Sequence, residues 1–356
     1  MASWMESIRI GEKTVKNRIV MPPMVMFGLN DGQDCLTDIH TNHYAARAAA
    51  GVGLIVVEAV SVLPTGRFPG QRGLDRDENI ASFARCAEAC HKHGAVVLTQ
   101  IHHIGYNTGQ NPMGPSNLTE GRYKGRGMSL DEIYRMRDAF IATGVRAWKA
   151  GMDGVELHGC HEYLLNAFAN PEINLREDAY GGDVTGRIRL ASEIIAGIRA
   201  ECGPGFLITV RMGCNDPDIP TGLEIADAYV AAGAQALSVS AGMGNPQNLR
   251  KPADYPFSVI TYLGTAVKEH LQGKVPVMGV FGIRTGAQAA QLIREEYADM
   301  ACVGKAMLAD PDWLPHALAD EQTTLCKSCR LCQWYECPER CPPLFARRKN
   351  DPNAAM

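Results

Sequence analysis

Gly154-Val-Glu-Leu-His158-Gly-Cys-His161-Glu-Tyr163-Leu-Leu-Asn-Ala-Phe168 opens on a short apolar run, breaks at Gly159, and carries two imidazoles and a phenol just past the run's C-terminal end. A short Val/Leu-containing run of this kind suits a parallel strand covered on both faces. The same unit, an apolar run, turn residues and then a helix-like stretch, recurs eight times. The runs fall at 18–21, 53–58, 95–101, 154–158, 206–212, 236–240, 275–280 and 300–303. The stretches 38–50, 77–93, 129–150, 184–201, 221–232, 257–271, 285–295 and 312–319 read as helices, and Ser129-Leu-Asp-Glu132 starts the third with a capping box. Eight such pairs predict an α/β fold, a (β/α)8 TIM barrel.

Ahead of the first run, Ile8-Arg-Ile-Gly-Glu-Lys-Thr-Val15 alternates around a Gly-centred turn and predicts a hairpin closing the bottom of the barrel. Two Gly/Pro/Asn-rich excursions, 105–127 and 241–256, follow the third and sixth runs, where barrel enzymes build substrate pockets. The polar tail 346–356 reads as frayed.

The chain has 356 residues, 46% of them hydrophobic, and a formal charge of -4. That length supports one barrel-sized core, and the charge offers no basic field for nucleic acid. No apolar run approaches the roughly 18 residues needed to span a bilayer. The N-terminal Met1-Ala-Ser-Trp-Met-Glu6 lacks a basic segment followed by an apolar core, so twelve cysteines imply a reducing cytoplasm.

Two features carry chemistry. His158, His161 and Tyr163 lie within six residues at the catalytic face. Imidazole N–H groups aimed at one point stabilise negative charge on a substrate oxygen, and a phenol nearby can deliver a proton. The same histidines could instead hold a metal, with His102 or His103 as third ligand, giving a zinc-dependent barrel hydrolase. The second feature is Cys326-Lys-Ser-Cys329-Arg-Leu-Cys332-Gln-Trp-Tyr-Glu-Cys337-Pro-Glu-Arg-Cys341. Thiolates so spaced can turn back on one inorganic centre, either a [4Fe–4S] cube or a tetrahedral zinc. The remaining seven cysteines read as small buried hydrophobes.

The chain resembles the Old Yellow Enzyme flavoproteins, and within them the iron–sulfur branch of 2,4-dienoyl-CoA reductase, enoate reductase and trimethylamine dehydrogenase. The resemblance rests on Lys16-Asn-Arg-Ile-Val-Met-Pro-Pro-Met24, Glu58-Ala59, Gln100-Ile-His-His-Ile-Gly105, and the block from Gly154 through Asn174 to Tyr180-Gly-Gly182 and Arg187. Val210-Arg211, Gly279-Val-Phe-Gly282-Ile-Arg-Thr285 and Val303-Gly304-Lys305-Ala-Met-Leu-Ala-Asp310-Pro follow in the same order.

The resemblance implies a barrel over 1–320 that holds FMN at its C-terminal face, with an iron–sulfur segment over 321–356. Pro22, Pro23, Met24, Ala59, Gln100 and Arg211 would contact the ring, Gln100 through its donor and acceptor and Arg211 through its charge. Gly282 and Gly304 would present backbone N–H groups to the phosphate, aided by Lys305 and the N-terminus of a short helix after the eighth strand. His158 and His161 would bind the oxygen that activates a conjugated C=C bond, with Tyr163 protonating the α-carbon. Cys326, Cys329 and Cys332 match the branch's cluster spacing; Cys341, followed by Pro-Pro, is the expected fourth ligand and Cys337 its competitor.

The resemblance further implies a small-molecule substrate with an activated C=C bond, a separate electron-transfer protein or reductase, or NAD(P)H as direct donor, and a homo-oligomer. An amine or N-methyl dehydrogenase is the alternative reading, and a non-catalytic electron-transfer subunit is opposed by the intact His158–Tyr163 set. The sequence departs from the family at Val25, where relatives carry Thr or Cys, and at Glu162 and Phe281, where they carry Gly. Tyr106 and Lys305 replace arginines. Glu162 is expected to point into solvent, with a cationic substrate as the other assignment.

Overall fold

The protein is described from a computed structural model, which covers residues 3–27, 29, 32–109, 111–245, 248–319 and 326–350. Eight strands form a closed barrel: β1 (Ile19–Met21), β2 (Leu54–Ser61), β3 (Val96–His102), β4 (Gly154–Gly159), β5 (Leu207–Gly213), β6 (Leu237–Ser240), β7 (Val277–Gly279) and β8 (Met300–Cys302). Each pairs in parallel with its sequence neighbour, and β8 returns to β1 through Ala301 opposite Ile19. This is the (β/α)8 TIM barrel expected from the sequence.

Side chains alternate between two cores because successive residues of a strand face opposite sides. Val20, Leu54, Val56, Leu98, Leu207, Met278 and Met300 fill the barrel interior. Ile19, Met21, Ile55, Val57, Val97, Ile208 and Val277 pack outward against the helices. The strands Ile8–Ile10 and Lys13–Val15 form the antiparallel hairpin, and Ile10 and Val15 join the interior core as its floor. Each of these two side chains contributes roughly 1.5–3 kcal/mol by burial. Gly11 at their turn has φ +52, and a Cβ there would lie 2.2 Å from the Gln235 amide nitrogen.

The outer layer comprises α1 (Asp38–Ala49), α2 (Ile80–His91), α3 (Leu130–Lys149), α4 (Arg189–Cys202), α5 (Ile219–Ala231), α6 (Val259–Leu271), α7 (Gly286–Arg294) and α8 (Trp313–Leu318). The capping box of α3 is present: the Glu132 N–H donates to Ser129 Oγ at 3.3 Å, and the Ser129 N–H donates to Glu132 Oε2 at 2.9 Å. The single helix expected over 184–201 is instead two, Val184–Arg187 and α4. Its first turn is tied back by Arg187, which donates to the carbonyls of Ala169 (2.9 Å) and Gly182 (2.7 Å).

The fourth strand ends in a loop that leads into the short helix Leu164–Ala169, and β8 leads into Lys305–Ala309. Buried Arg47 of α1 donates twice to the Met307 carbonyl, at 2.8 and 3.1 Å, and holds that second helix in place. The cysteine-rich segment folds onto the barrel as Gln333–Glu336 and Pro342–Asn350. Trp334 and Leu344 are buried in the outer core, and Arg347 is ion-paired with Asp310 and Asp312. Residues 346–350, expected to be frayed, are the end of a helix, while 351–356 and the expected boundary at 320–321 lie outside the described residues. Among the described residues no helix is long and apolar enough to cross a membrane.

Candidate active site

The C-terminal ends of the strands surround a cavity of about 410 Å³. Its lining includes Pro22, Pro23, Met24, Ala59, Gln100, His158, His161, Tyr163, Arg211, Gly282, Gly304 and Lys305, so residues from seven separate regions of the sequence meet on one space. A bulge between Val57 and Val60 lengthens β2 beyond the apolar run and carries Ala59 to the rim.

The floor is charged. Gln100 donates from Nε2 to Glu156 Oε1 at 2.8 Å, and Glu156 is buried on β4. Burial pushes the Glu156 carboxyl up to about 7, against the opposing pull of Arg211. Arg211 Nε is itself buried and makes no hydrogen bond to a described residue. A ligand with a polar edge at this point would satisfy that donor, and Gln100 retains its carbonyl oxygen as an acceptor.

On one wall, His158 Nε2 and His161 Nδ1 lie 2.9 Å apart and are hydrogen-bonded to each other, one ring nitrogen donating and the other accepting. His161 Nε2 is 2.7 Å from Ser240 Oγ, which fixes that ring from the end of β6. Desolvation holds both histidines neutral, lowering His161 to about 3 and His158 well below its ordinary value. The Tyr163 ring stands edge-on to His158 at 4.8 Å and to His102 at 5.3 Å. Burial, with Cys160 and Glu162 nearby, pushes the Tyr163 phenol up to about 12. It therefore carries its proton at neutral pH.

The alternative metal set takes a different form from the one expected. His102 lines the cavity and stacks on His158 at 5.5 Å, but the group with mutually close ligand atoms is His158, Cys160 and His161. Neither His102 nor His103 belongs to it. The Cys160 thiol is buried and pushed well up by desolvation, so the thiolate a metal needs is disfavoured there.

Two departures from the family pattern keep a glycine-like backbone. Glu162 has φ +71 and Phe281 φ +78, the left-handed region in which side chains are strained. Glu162 does not extend freely into solvent, as expected, nor line the cavity. Its carboxylate lies 2.6 Å from Arg122 Nη2, and its backbone carbonyl accepts from Asn107 Nδ2 at 3.1 Å. Both partners belong to the excursion after β3, so the substitution ties that excursion to the catalytic loop.

The sequence reading did not single out Phe27, Phe68, Gln71, Ser240, Arg284 or Tyr335, all of which line the cavity. Gln71 donates to the Ala59 carbonyl at 2.7 Å and sits 2.7 Å from His102 Nε2. Ser240 had a readable signal, its place at the C-terminal end of a barrel strand. Arg284 sits inside a quoted motif and adds a second cation beside Lys305.

A second, smaller cavity is lined by Cys326, Cys329, Cys332 and Cys341 together with Lys305, Lys327 and Trp334. Cys337 is not on its wall. The Cys341 thiol is pushed up to about 11, by burial first and then by the proximity of the other three sulfurs. The Ser328 N–H donates to Cys326 Sγ at 3.4 Å. The two cavities adjoin: Lys305 borders both, and the consecutive Trp334 and Tyr335 line one each.

A family profile described as NADH:flavin oxidoreductase / NADH oxidase matches residues 5–323. The chain is 35% identical over 341 residues to the NADH oxidase of Thermoanaerobacter brockii, which covers 91% of this chain and 52% of that protein. It is 33% identical over 323 residues to the NADPH dehydrogenase of Halalkalibacterium halodurans, covering 88% and 93%. Among solved structures it resembles a 2-naphthoyl-CoA reductase complexed with 2-naphthoyl-CoA (TM-score 0.82, 23% identity, 93% of this chain and 54% of that one). It also resembles an Old Yellow Enzyme homologue from Zymomonas mobilis (TM-score 0.75, 24% identity, 94% and 98%). At those identities the structural likeness speaks to fold. The chain spans about half the length of the T. brockii protein and of the naphthoyl-CoA reductase. A match over residues 5–323 together with a third of residues shared along nearly the whole of a relative decides the matter: the chain belongs to the NADH:flavin oxidoreductase / NADH oxidase family.

Proposed function

We propose that this protein is an FMN-dependent ene-reductase acting on the C=C bond of an enoate, enone or enoyl-CoA. The observation that carries the reading is the placement of the hydrogen-bonded His158–His161 pair beside the protonated Tyr163, in a cavity that also presents the buried Arg211 donor. FMN, when bound and reduced, supplies the hydride for the β-carbon.

The rest of the chemistry belongs to the chain. Gln100, Arg211 and the Pro22–Met24 backbone would hold the flavin ring, with Ala59 against it. Gly282, Gly304, Lys305 and the unforeseen Arg284 would meet the phosphate, and two separate cations suit a doubly charged group. His158 and His161 would grip the substrate's activating oxygen. Because both rings are neutral, each has one N–H to donate, and to hold the oxygen the pair would exchange its mutual hydrogen bond for bonds to the substrate; one such donor contributes about 2.7–4 kcal/mol in comparable oxyanion sites. Tyr163 would give its proton to the α-carbon. The aromatic Phe27, Phe68 and Tyr335 would give the reacting face an apolar wall.

Cys326, Cys329, Cys332 and Cys341 would hold a [4Fe–4S] cluster that relays electrons to the flavin site. Four thiolates would also accept zinc, but Lys305 borders both this cavity and the flavin cavity, and a neighbouring flavin gives an electron-carrying centre a use that zinc lacks. The branch assignment within the family, and the division into a barrel over 1–320 and a cysteine segment over 321–356, are part of the same proposal. The relatives' names, NADH oxidase and NADPH dehydrogenase, support a nicotinamide as an alternative direct donor. The amine-dehydrogenase reading drew on Glu162 as a partner for a cationic substrate, and Arg122 already occupies that carboxylate.

An anaerobic visible spectrum, with iron, sulfide, zinc and released flavin quantified on the same sample, tests the proposal. One FMN with about four iron and four sulfide per chain is expected, followed by turnover of enoates or enones but not methylamines. Colourless protein with stoichiometric zinc would overturn it.

A further inference from the structure

We infer that the outward face of the cysteine segment is the docking surface for a separate acidic protein that carries single electrons. The inference rests on the four-thiol site proposed above. Residues 326–350 hold six cations, Lys327, Arg330, Arg340, Arg347, Arg348 and Lys349, against two carboxylates, Glu336 and Glu339. These residues are thus +4 by formal charge, and the whole of 321–356, with Glu321 and Asp351 added, is +2 in a chain of -4.

The cations divide by position. Lys327, with Lys305, borders the thiol cavity and answers the negative charge of four thiolates. Arg347 is ion-paired with Asp310 and Asp312. Arg330, Arg340 and Lys349 are exposed and do not line the thiol cavity, so balancing the thiolates does not account for them. The same stretch exposes two large apolar side chains, Leu331 at 68% and Phe345 at 64%. Leu331 directly precedes Cys332, and the Phe345 N–H donates to the Cys341 carbonyl at 2.9 Å. Trp334 of the same segment is instead buried, so the segment presents aromatic surface inward and a basic, partly apolar surface outward. Apolar contacts within a charged rim are how transient protein interfaces are built, and the rim's charge steers the encounter.

An acidic carrier is the partner whose charge this face complements and whose cargo the adjoining thiol site can accept. Each encounter passes one electron from the reduced carrier into that site and releases the carrier oxidised. Two encounters and two solvent protons account for the saturation of one C=C bond. A basic patch of this size also suits nucleic acid or an anionic membrane, but neither supplies electrons.

The test uses the cluster-loaded, full-length protein under anaerobic conditions, with an acidic plant-type [2Fe–2S] ferredoxin and an acidic flavodoxin as probes in turn. Calorimetry should give a Kd with at least one of them that weakens as salt rises. The Arg330→Glu/Lys349→Glu variant should bind about ten-fold more weakly, and Leu331→Ala should weaken binding without changing its salt dependence. Cluster reduction by methyl viologen radical, a small cation with no need of the surface, should not slow in either variant. Failure of both carriers to bind, equal affinity in the charge-reversed variant, or tighter binding of duplex DNA or anionic vesicles overturns the inference while leaving the enzyme reading intact. Protein that takes up flavin but no iron overturns the cluster reading and this inference with it.

Discussion

Glu58 offers a sharp test of how the flavin-side loop is held. Its side chain is fully buried on β2; Oε2 accepts from the Met26 N–H at 3.0 Å, and its own N–H donates to Tyr44 Oη at 2.9 Å. The first contact anchors the strand exit that brings Pro22, Pro23 and Met24 to the cavity wall. Burial raises the carboxyl from 4.5 to about 7, with the Met26 N–H and Arg72 opposing. Folded protein keeps this proton up to about pH 7, whereas the unfolded chain releases it near 4.5. Stability therefore falls as pH rises through that window, by about 3 kcal/mol in total from this group. Glu58→Gln preserves an acceptor for Met26 and removes the titration. Urea unfolding of both proteins at pH 5 and pH 8 should show the variant gaining roughly 2–3 kcal/mol on the wild type over the interval, the remainder having been lost below pH 5. Glu156 and Asp216, also raised by burial, are present in both proteins and cancel in the comparison. Parallel dependence on pH in the two proteins would refute the reasoning.

Tyr163→Phe should lower alkene turnover by about 10²-fold or more, leaving flavin content and reducibility unchanged in a reductive titration; undiminished turnover removes the phenol from the mechanism. His158 and His161, held neutral by burial, should give kcat/KM no acidic limb near the ordinary imidazole value. Because the unfolded chain takes up those protons below about pH 6.5, stability should fall there as pH drops, and an NMR titration showing either ring charging near 6 would contradict this. Cys341→Ser should strip most of the iron from anaerobically purified protein while Cys337→Ser should not, and the reverse pattern would exchange their roles.

The barrel was legible because its strands are buried on both faces and so appear as unbroken apolar runs. Their ends were less legible. The run in β2 seemed to stop at Glu58, a charged residue, although the bulge after Val57 lets Val60 and Ser61 pair again with Ile101 and His102. His158, His161 and Tyr163 were legible from their place past a strand end, the nine flavin residues only through the family resemblance, and all twelve line one cavity. What could not be read was pairing between loops distant in sequence. Arg122 meets Glu162 across forty residues of chain, and no local pattern in either loop signals the contact. Tyr335 carried no signal, since only the return of the chain onto the barrel brings it beside Phe27, with ring centroids 6.4 Å apart. The helices Leu164–Ala169 and Gln333–Glu336 are too short to establish a 3.6-residue period.

Trp334 and Tyr335 share one helical turn while facing different cavities, and this makes the two sites hostages to each other. Unravelling Gln333–Glu336 opens the thiol pocket and removes part of the flavin cavity's aromatic wall in the same event. By linkage, whatever orders the thiols tightens flavin retention, and flavin in return shields the thiols. If the four thiols hold the proposed cluster, air that oxidises them would cost the protein its iron and loosen its hold on flavin. A preparation made on an open bench would look like an empty barrel, and its inactivity would report the history of the sample rather than the chemistry of the enzyme.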